Sequence, residues 1–319
     1  MSRNNIISKL FYQQIFAIAI RKKIGFDFHS NTFSNEPFVS VLEVDINKWY
    51  ADPFIVKYMD KNYIFFENCY REKGKLQVGV INEDMVIDEI HDVLDEIIHL
   101  SYPFVFSVSE QWYMIPESHQ AKEIRVYRAI EFPYVWTLEK VLYKDIDAVD
   151  TTFFTQNGSN YLITARRQNN DEAVQPTIYK LTNEEPKDWI LNEINWNDYD
   201  MYHARPAGQL FDIDHHIYRP SQLCSRREYG KGVIINEVSA SRLLGGEFWE
   251  KEILRIVPEN ISIEKFPKKL IGIHTYNSTE DYEVIDVKFE QLDIFKILRR
   301  VGRMIKNVFY LVANNSLYD

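Results

Sequence analysis

The chain is 319 residues long and is 45% hydrophobic, 14% aromatic and 26% charged, so it carries enough apolar side chain for a packed core and is no disordered polymer. Its 37 basic and 47 acidic residues give a formal net charge of −10, which argues against nucleic acid as a partner. Twenty Tyr and 20 Phe against 11 Gly and 11 Pro exclude collagen-like and low-complexity classes and favour strands, where aromatic rings pack well.

At the N-terminus an apolar run at 15–20 is closed by Arg21, Lys22 and Lys23. It is shorter than the roughly 20 residues that cross a bilayer, and no small-residue cleavage site follows it, so the chain reads as cytosolic. Residues 14–21 and 38–44 read as strands with no neighbour in the sequence to pair with. The two cysteines, Cys69 and Cys224, lack metal or redox spacing and read as buried thiols.

From residue 51 onward the sequence repeats. Ala51-Asp52-Pro53-Phe54, Ser101-Tyr102-Pro103-Phe104, Val149-Asp150-Thr151-Thr152 and Ala204-Arg205-Pro206-Ala207 open four similar units, and their second residues are 50, 48 and 55 positions apart. Each opening runs into a polar turn (around Asp60, Glu110, Asn157 and Asp214) and a second apolar run beginning at Tyr63, Tyr113, Tyr161 and His216. These turns carry residue types that tolerate tight hairpins. Third strands follow near 76–81, 124–129, 177–181 and 232–238, and fourth strands near 136–142, 189–194 and 248–256. A fifth unit opens at Gly272-Ile273-His274-Thr275-Tyr276-Asn277 but has no room for outer strands. The period matches a propeller blade. The reading is an all-β, five-bladed β-propeller over residues 1–291, with the N-terminal strands completing the last blade and removing its open edge.

Residues 292–319 differ. Ile294, Ile297, Leu298, Val301, Met304, Ile305 and Val308 share one helical face, opposed by Lys296, Arg299, Arg300, Arg303 and Lys306, the pattern of a short C-terminal amphipathic helix. It either caps the propeller with a solvated basic face or makes a peripheral contact with an anionic membrane at its inner face.

The innermost strand of a blade runs along the central channel, so the repeat openings bring Asp52, Tyr102, Asp150, Arg205 and His274 into one ring. Such a ring either neutralises itself to close the channel or faces a ligand. Blade four adds Arg219, Arg226, Arg227 and Lys231. Guanidinium forks suit phosphate or carboxylate oxygens, so this blade points either to an anionic sugar or nucleotide sugar, or to ordinary salt bridges. There is no Gly-rich phosphate loop, nucleophile elbow or zinc-binding helix motif, and no metal or cofactor is expected.

Two resemblances follow. Ala51-Asp52-Pro53 and Val149-Asp150-Thr151 resemble the five-bladed furanosidase-type glycosidases of the arabinanase, xylosidase and invertase clan. This implies Asp52 as general base or nucleophile and Asp150 as the carboxylate that tunes the acid. Where that clan has a blade-four Glu as acid, this chain offers Arg205, Arg219 and Gln222, with Glu117 of blade two as a substitute. A resemblance over most of the chain is carried by Tyr50-Ala51-Asp52-Pro53-Phe54, Met114-Ile115-Pro116-Glu117-Ser118, Ala204-Arg205-Pro206-Ala207-Gly208, Tyr218-Arg219-Pro220-Ser221-Gln222 and the His274 segment. These resemble the N-terminal domain of plant glucosamine inositolphosphorylceramide transferases and its bacterial relatives. That implies a carbohydrate-active protein of envelope polysaccharide or glycolipid biosynthesis, with Asp52, Glu117 and Asp150 as catalytic candidates and Tyr102, Arg205, Arg219, Gln222 and His274 as substrate-binding ones. The alternatives are a glycoside hydrolase with Asp52 as base and a noncatalytic glycan-binding partner of a glycosyltransferase.

Overall fold

The computed structural model describes residues 11–27, 32–167, 172–194, 196, 199–238 and 248–296. Five blade sheets follow one another in the order of the repeats, antiparallel except that Ile263–Glu264 pairs parallel with Phe38–Val39 in the fifth. Blade one comprises Lys48–Tyr58, Lys61–Tyr70, Lys73–Ile81 and Ile87–Leu94. Blade two comprises Ser101–Val108, Gln111–Glu117, Glu123–Glu131 and Val135–Lys144. Blade three is built from Ala148–Gln156, Ser159–Arg167, Val174–Leu181 and Leu191–Ile194, and blade four from Phe211–Ile213, His216–Ser225, Glu228–Val238 and Glu250–Ile256. The described residues form no long helix, and none of their helices is long and apolar enough to cross a membrane. The amphipathic segment expected over 292–319 lies outside the described residues beyond Lys296.

The hairpins obey a simple backbone rule. A two-residue hairpin turn matches strand twist when both central residues have positive φ. Met59 and Asp60, Ser109 and Glu110, Asn157 and Gly158, and Asp214 and His215 all do, so the polar pairs seen in the sequence are the inner hairpin turns of four blades. Blade four departs from expectation in its innermost strand, which is regular only over Phe211–Ile213. Pro206 has no N–H to give and Gly208 sits at φ +147°, so residues 204–208 hold on through a bridge from Pro206 to Ser221 and the bonds Gln222 N–H to Arg205 O (2.8 Å) and Ala207 N–H to Pro220 O (3.1 Å).

Aromatic residues fill the spaces between blades. Phe106, Phe153 and Trp189 stack where blades two and three meet, at 4.6 and 5.2 Å between ring centroids, and Trp112 stacks on Phe132 at 4.3 Å. The ring closes through the N-terminus. In blade five Leu270–Ser278 and Tyr282–Leu292 pair in turn with Tyr12–Lys22, which carries Phe38–Ser40 and then Ile263–Glu264 at the rim. Tyr12–Lys22 runs antiparallel to Tyr282–Leu292 over its whole length. The seam is locked by buried Arg21, whose Nε lies 2.6 Å from Glu283 and whose guanidinium sits 4.3 and 4.4 Å from the rings of Phe33 and Phe38. Removing one partner of a buried ion pair costs about 3–5 kcal/mol. Arg21→Ala is therefore expected to lose about that much unfolding free energy in urea titration, and an unshifted midpoint would show that the seam does not depend on this pair.

Candidate functional site

The innermost strands are not regular where the repeat openings lie. Pairing slips between Ala51 and Phe54, Val149 and Thr152, and Ile273 and Tyr276, and Asp52, Tyr102 and Asp150 adopt φ of 52°, 46° and 52°. A bulge turns the side chain out of the strand's alternation, here towards the channel, and frees the local N–H groups from the sheet.

Carboxylates from the same or a neighbouring blade take up those N–H groups. Asp286 accepts from Asp52 N (3.0 Å), His274 N (3.1 Å), Thr275 N (2.8 Å) and His274 Nδ1 (2.5 Å). Asp52 Oδ2 accepts from Tyr102 N at 3.0 Å, while its Oδ1, 3.3 Å from His274 Nε2, is buried without a hydrogen-bond partner. Tyr229 hydrogen-bonds His274 Nε2 through its hydroxyl and lies under the Arg205 guanidinium, 4.8 Å from ring centroid to Cζ. Arg205 in turn bridges Asp150 and Glu117, with Nη2 3.2 Å from Glu117 Oε2. Gln222 Nε2 donates to Asp150 Oδ2 at 3.1 Å.

The charges in this cluster are set by burial and by one another. Burial raises Asp52 well above the usual carboxylate range, and Asp286, Glu67 and Asp150 add to that against the pull of His274. Burial likewise lifts Asp150 to about 7, with Arg205 opposing and Glu117 reinforcing. For His274 burial disfavours charge, yet Asp286 and Asp52 outweigh it and raise the imidazole to about 9. Burial works against an ionised Asp286 too, but His274 and the N–H donors pull it below the usual range. Asp52, His274 and Asp286 titrate as a unit, in which His274 and Asp286 favour each other's charged form while burial opposes charge on Asp52. Their donor atoms are close enough to one another to hold a cation, but both ring nitrogens of His274 are already engaged within the protein, so the trio fits a hydrogen-bonded relay better than a metal centre.

Asp52, Glu117, Asp150, Arg205, Gln222 and His274 thus come together at one end of the channel. Tyr102 lies beneath them, fully buried, its hydroxyl bonded to Thr152 Oγ1 (2.9 Å) and Gly208 N (2.9 Å); its position is that of an inter-blade tie. Arg219 is 0% exposed and sits in the blade-four interior, where it pairs with Glu250 at 2.7 Å and stacks over Trp196. Arg227 and Lys231 line a cleft of about 670 Å³ with Tyr229, Lys269, Lys288 and several glutamates. Sequence reasoning missed Glu67, His99, His119, Tyr229 and Asp286. Glu67 follows Asp52 by fifteen residues, as Glu117 follows Tyr102, so a longer repeat alignment finds it; the connector histidines carry no such signal.

A family model described as glucosamine inositolphosphorylceramide transferase 1, N-terminal, matches residues 39–265. The chain is 31% identical over 245 residues to glucosamine inositolphosphorylceramide transferase 1 of Oryza sativa subsp. japonica, covering 75% of this chain and 31% of that protein. The Arabidopsis thaliana protein of that name is 30% identical over 244 residues, covering 75% and 30%. The chain therefore spans under a third of these relatives' length. Among solved structures, an alpha-L-arabinofuranosidase from Lactobacillus brevis superposes with TM-score 0.52 at 13% identity, covering 73% of this chain and 80% of that one. The catalytic domain of a Coprinopsis cinerea GH62 alpha-L-arabinofuranosidase gives 0.50 at 10% identity, covering 79% and 95%. These two share the five-bladed fold.

The pKa of His274 has a measurable consequence for stability. Raised from 6.5 to about 9 in the folded state, it stabilises fully below pH 6.5 and the contribution disappears as pH rises towards 9. The stability advantage of wild type over His274→Gln in urea titration is expected to shrink across that window, and an advantage that grows with pH would refute the assignment.

Proposed function

Because the chain belongs to the family of N-terminal domains of glucosamine inositolphosphorylceramide transferases, we propose that it is a carbohydrate-active module that takes a sugar at the channel end where Asp52, Glu117, Asp150 and Arg205 meet. The observation that carries this reading is Oδ1 of Asp52, buried with no hydrogen bond and 3.3 Å from His274 Nε2, beside the bridged pair Glu117 and Asp150. A buried polar atom left without a partner costs about 1–3 kcal/mol, and a ligand hydroxyl at this place removes that cost.

The geometry favours a neutral or amino sugar over an anionic one. Arg205 is engaged by two carboxylates and Arg219 by Glu250, so the arginines that suggested an anion are already neutralised. Asp52, Glu67, Glu117, Asp150 and Asp286 outnumber Arg205 and His274 around the site, which suits hydroxyl and ammonium donors. Binding, or transfer in concert with a glycosyltransferase partner in polysaccharide or glycolipid assembly, is preferred to hydrolysis. A general base must be ionised, and burial together with Asp286, Glu67 and Asp150 raises Asp52 well above the usual carboxylate range, against that role.

Isothermal titration with D-glucosamine, D-glucose and D-glucuronate tests this. The amino sugar is expected to bind best and glucuronate worst, and Asp52→Asn to weaken glucosamine binding about tenfold, the scale of one good hydrogen bond. Preference for glucuronate, or binding indifferent to Asp52→Asn, would overturn the reading.

A further inference from the structure

The fifty-residue step repeats more than strands. Glu67 and Glu117 hold equivalent places in the second strands of blades one and two, both are buried, and each faces a histidine from a connector. Glu67 Oε1 lies 3.1 Å from His99 Nε2, and Glu117 Oε1 lies 3.0 Å from His119 Nδ1. The two rings are nevertheless bonded differently. His99 Nδ1 accepts from Gly74 N–H at 2.9 Å, so the neutral ring carries its proton on Nε2, on the side of Glu67. His119 points Nδ1 at a carboxylate, which can only accept, so the proton is on Nδ1 and the Nε2 lone pair is left over.

That lone pair is held in place. The turn carrying His119 is closed by Ala121 N–H to Ser118 O and Lys122 N–H to His119 O, both 2.9 Å. Ser118 Oγ donates to Glu123 O at 2.8 Å, and Gln120 Oε1 accepts from His99 N–H at 3.0 Å. The other carboxylate oxygen of Glu117 receives Arg205, so the His119 ring adjoins the Asp150 cluster through a single shared side chain. Its side chain is 22% exposed, within reach of solvent.

We propose that Glu117 and His119 form a carboxylate–imidazole dyad in which Glu117 fixes the tautomer and His119 Nε2 accepts a hydrogen bond from a hydroxyl of the sugar at the channel mouth. The ligand contact rests on the sugar-site reading above; the tautomer does not. Burial, with Arg167 and Arg205 nearby, lowers His119 to about 4, so the acceptor is present at neutral pH. A lone pair at this position welcomes a hydroxyl donor and repels an anion, which makes His119 a determinant of which sugars enter.

Two measurements decide the matter. Nitrogen-15 NMR of the histidine rings is expected to show His119 protonated on Nδ1 and His99 on Nε2. Diethyl pyrocarbonate, which attacks an unprotonated ring nitrogen, is expected at pH 7 to modify His119 but to spare His99 and His274, as read by peptide mass mapping. With saturating D-glucosamine the modification of His119 should slow at least tenfold, and His119→Gln should weaken glucosamine binding about tenfold. An Nε2-protonated or unreactive His119 overturns the dyad. A reactive His119 that bound glucosamine fails to protect overturns the ligand contact. If the wild type binds none of the three sugars, the sugar-site reading and the contact fall together, while the ring tautomers still decide the dyad.

Discussion

Everything at the channel depends on one carboxylate, Asp286, accepting N–H groups that the sheets have released. The bulges at Asp52 and His274 turn two backbone donors out of their ladders, and a buried donor must find a partner. Asp286 serves both, together with Thr275 N and His274 Nδ1. Asp52 then does for blade two what Asp286 does for blade one, through Tyr102 N. The Tyr102 hydroxyl carries the chain of ties onward to Thr152 of blade three and to Gly208 at the start of blade four. From there Asn277 returns to the beginning, since its amide donates to Pro53 O and its carbonyl accepts from Gln209 N.

Because these ties are ionisable groups, holding the ring together also sets its chemistry. Burial raises the carboxyls of Asp52 and Asp150, while Asp286 and Asp52 outweigh burial in raising His274. Arg205, the cation that a ligand phosphate or carboxylate would need, is instead used to bring Glu117 and Asp150 side by side. The same residues therefore serve as both mortar and binding surface. Positive φ at Asp52, Tyr102 and Asp150 is the local backbone strain that this arrangement imposes.

Much of the architecture was legible in the residues because a propeller writes its period into the chain. The five openings, the hairpin turns at Asp60, Glu110, Asn157 and Asp214, and the need of residues 14–21 for a partner all follow from local patterning and the absence of outer strands after His274. The short innermost strand of blade four was hidden in Pro206 and Gly208, which break pairing without breaking the repeat. Arg219 shows the opposite case. Its place beside Arg205 and Gln222 in the repeat suggests a ligand contact, but alternation along His216–Ser225 sends its side chain to Glu250 and that of Gln222 to Asp150.

The sequence by itself determined that five similar units form a ring and that Asp52, Asp150, Arg205 and His274 meet at its centre, since a fixed repeat places equivalent residues at equivalent radii. Only the tertiary structure decided what those residues do to one another. How Arg205 is neutralised depends on contacts between blades, with Asp150 and Glu117 55 and 88 residues away, and which histidine retains a lone pair depends on how the segments of His99 and His119 pack. Burial and hydrogen-bond geometry at those contacts are properties of packing, which no run of neighbouring residues encodes.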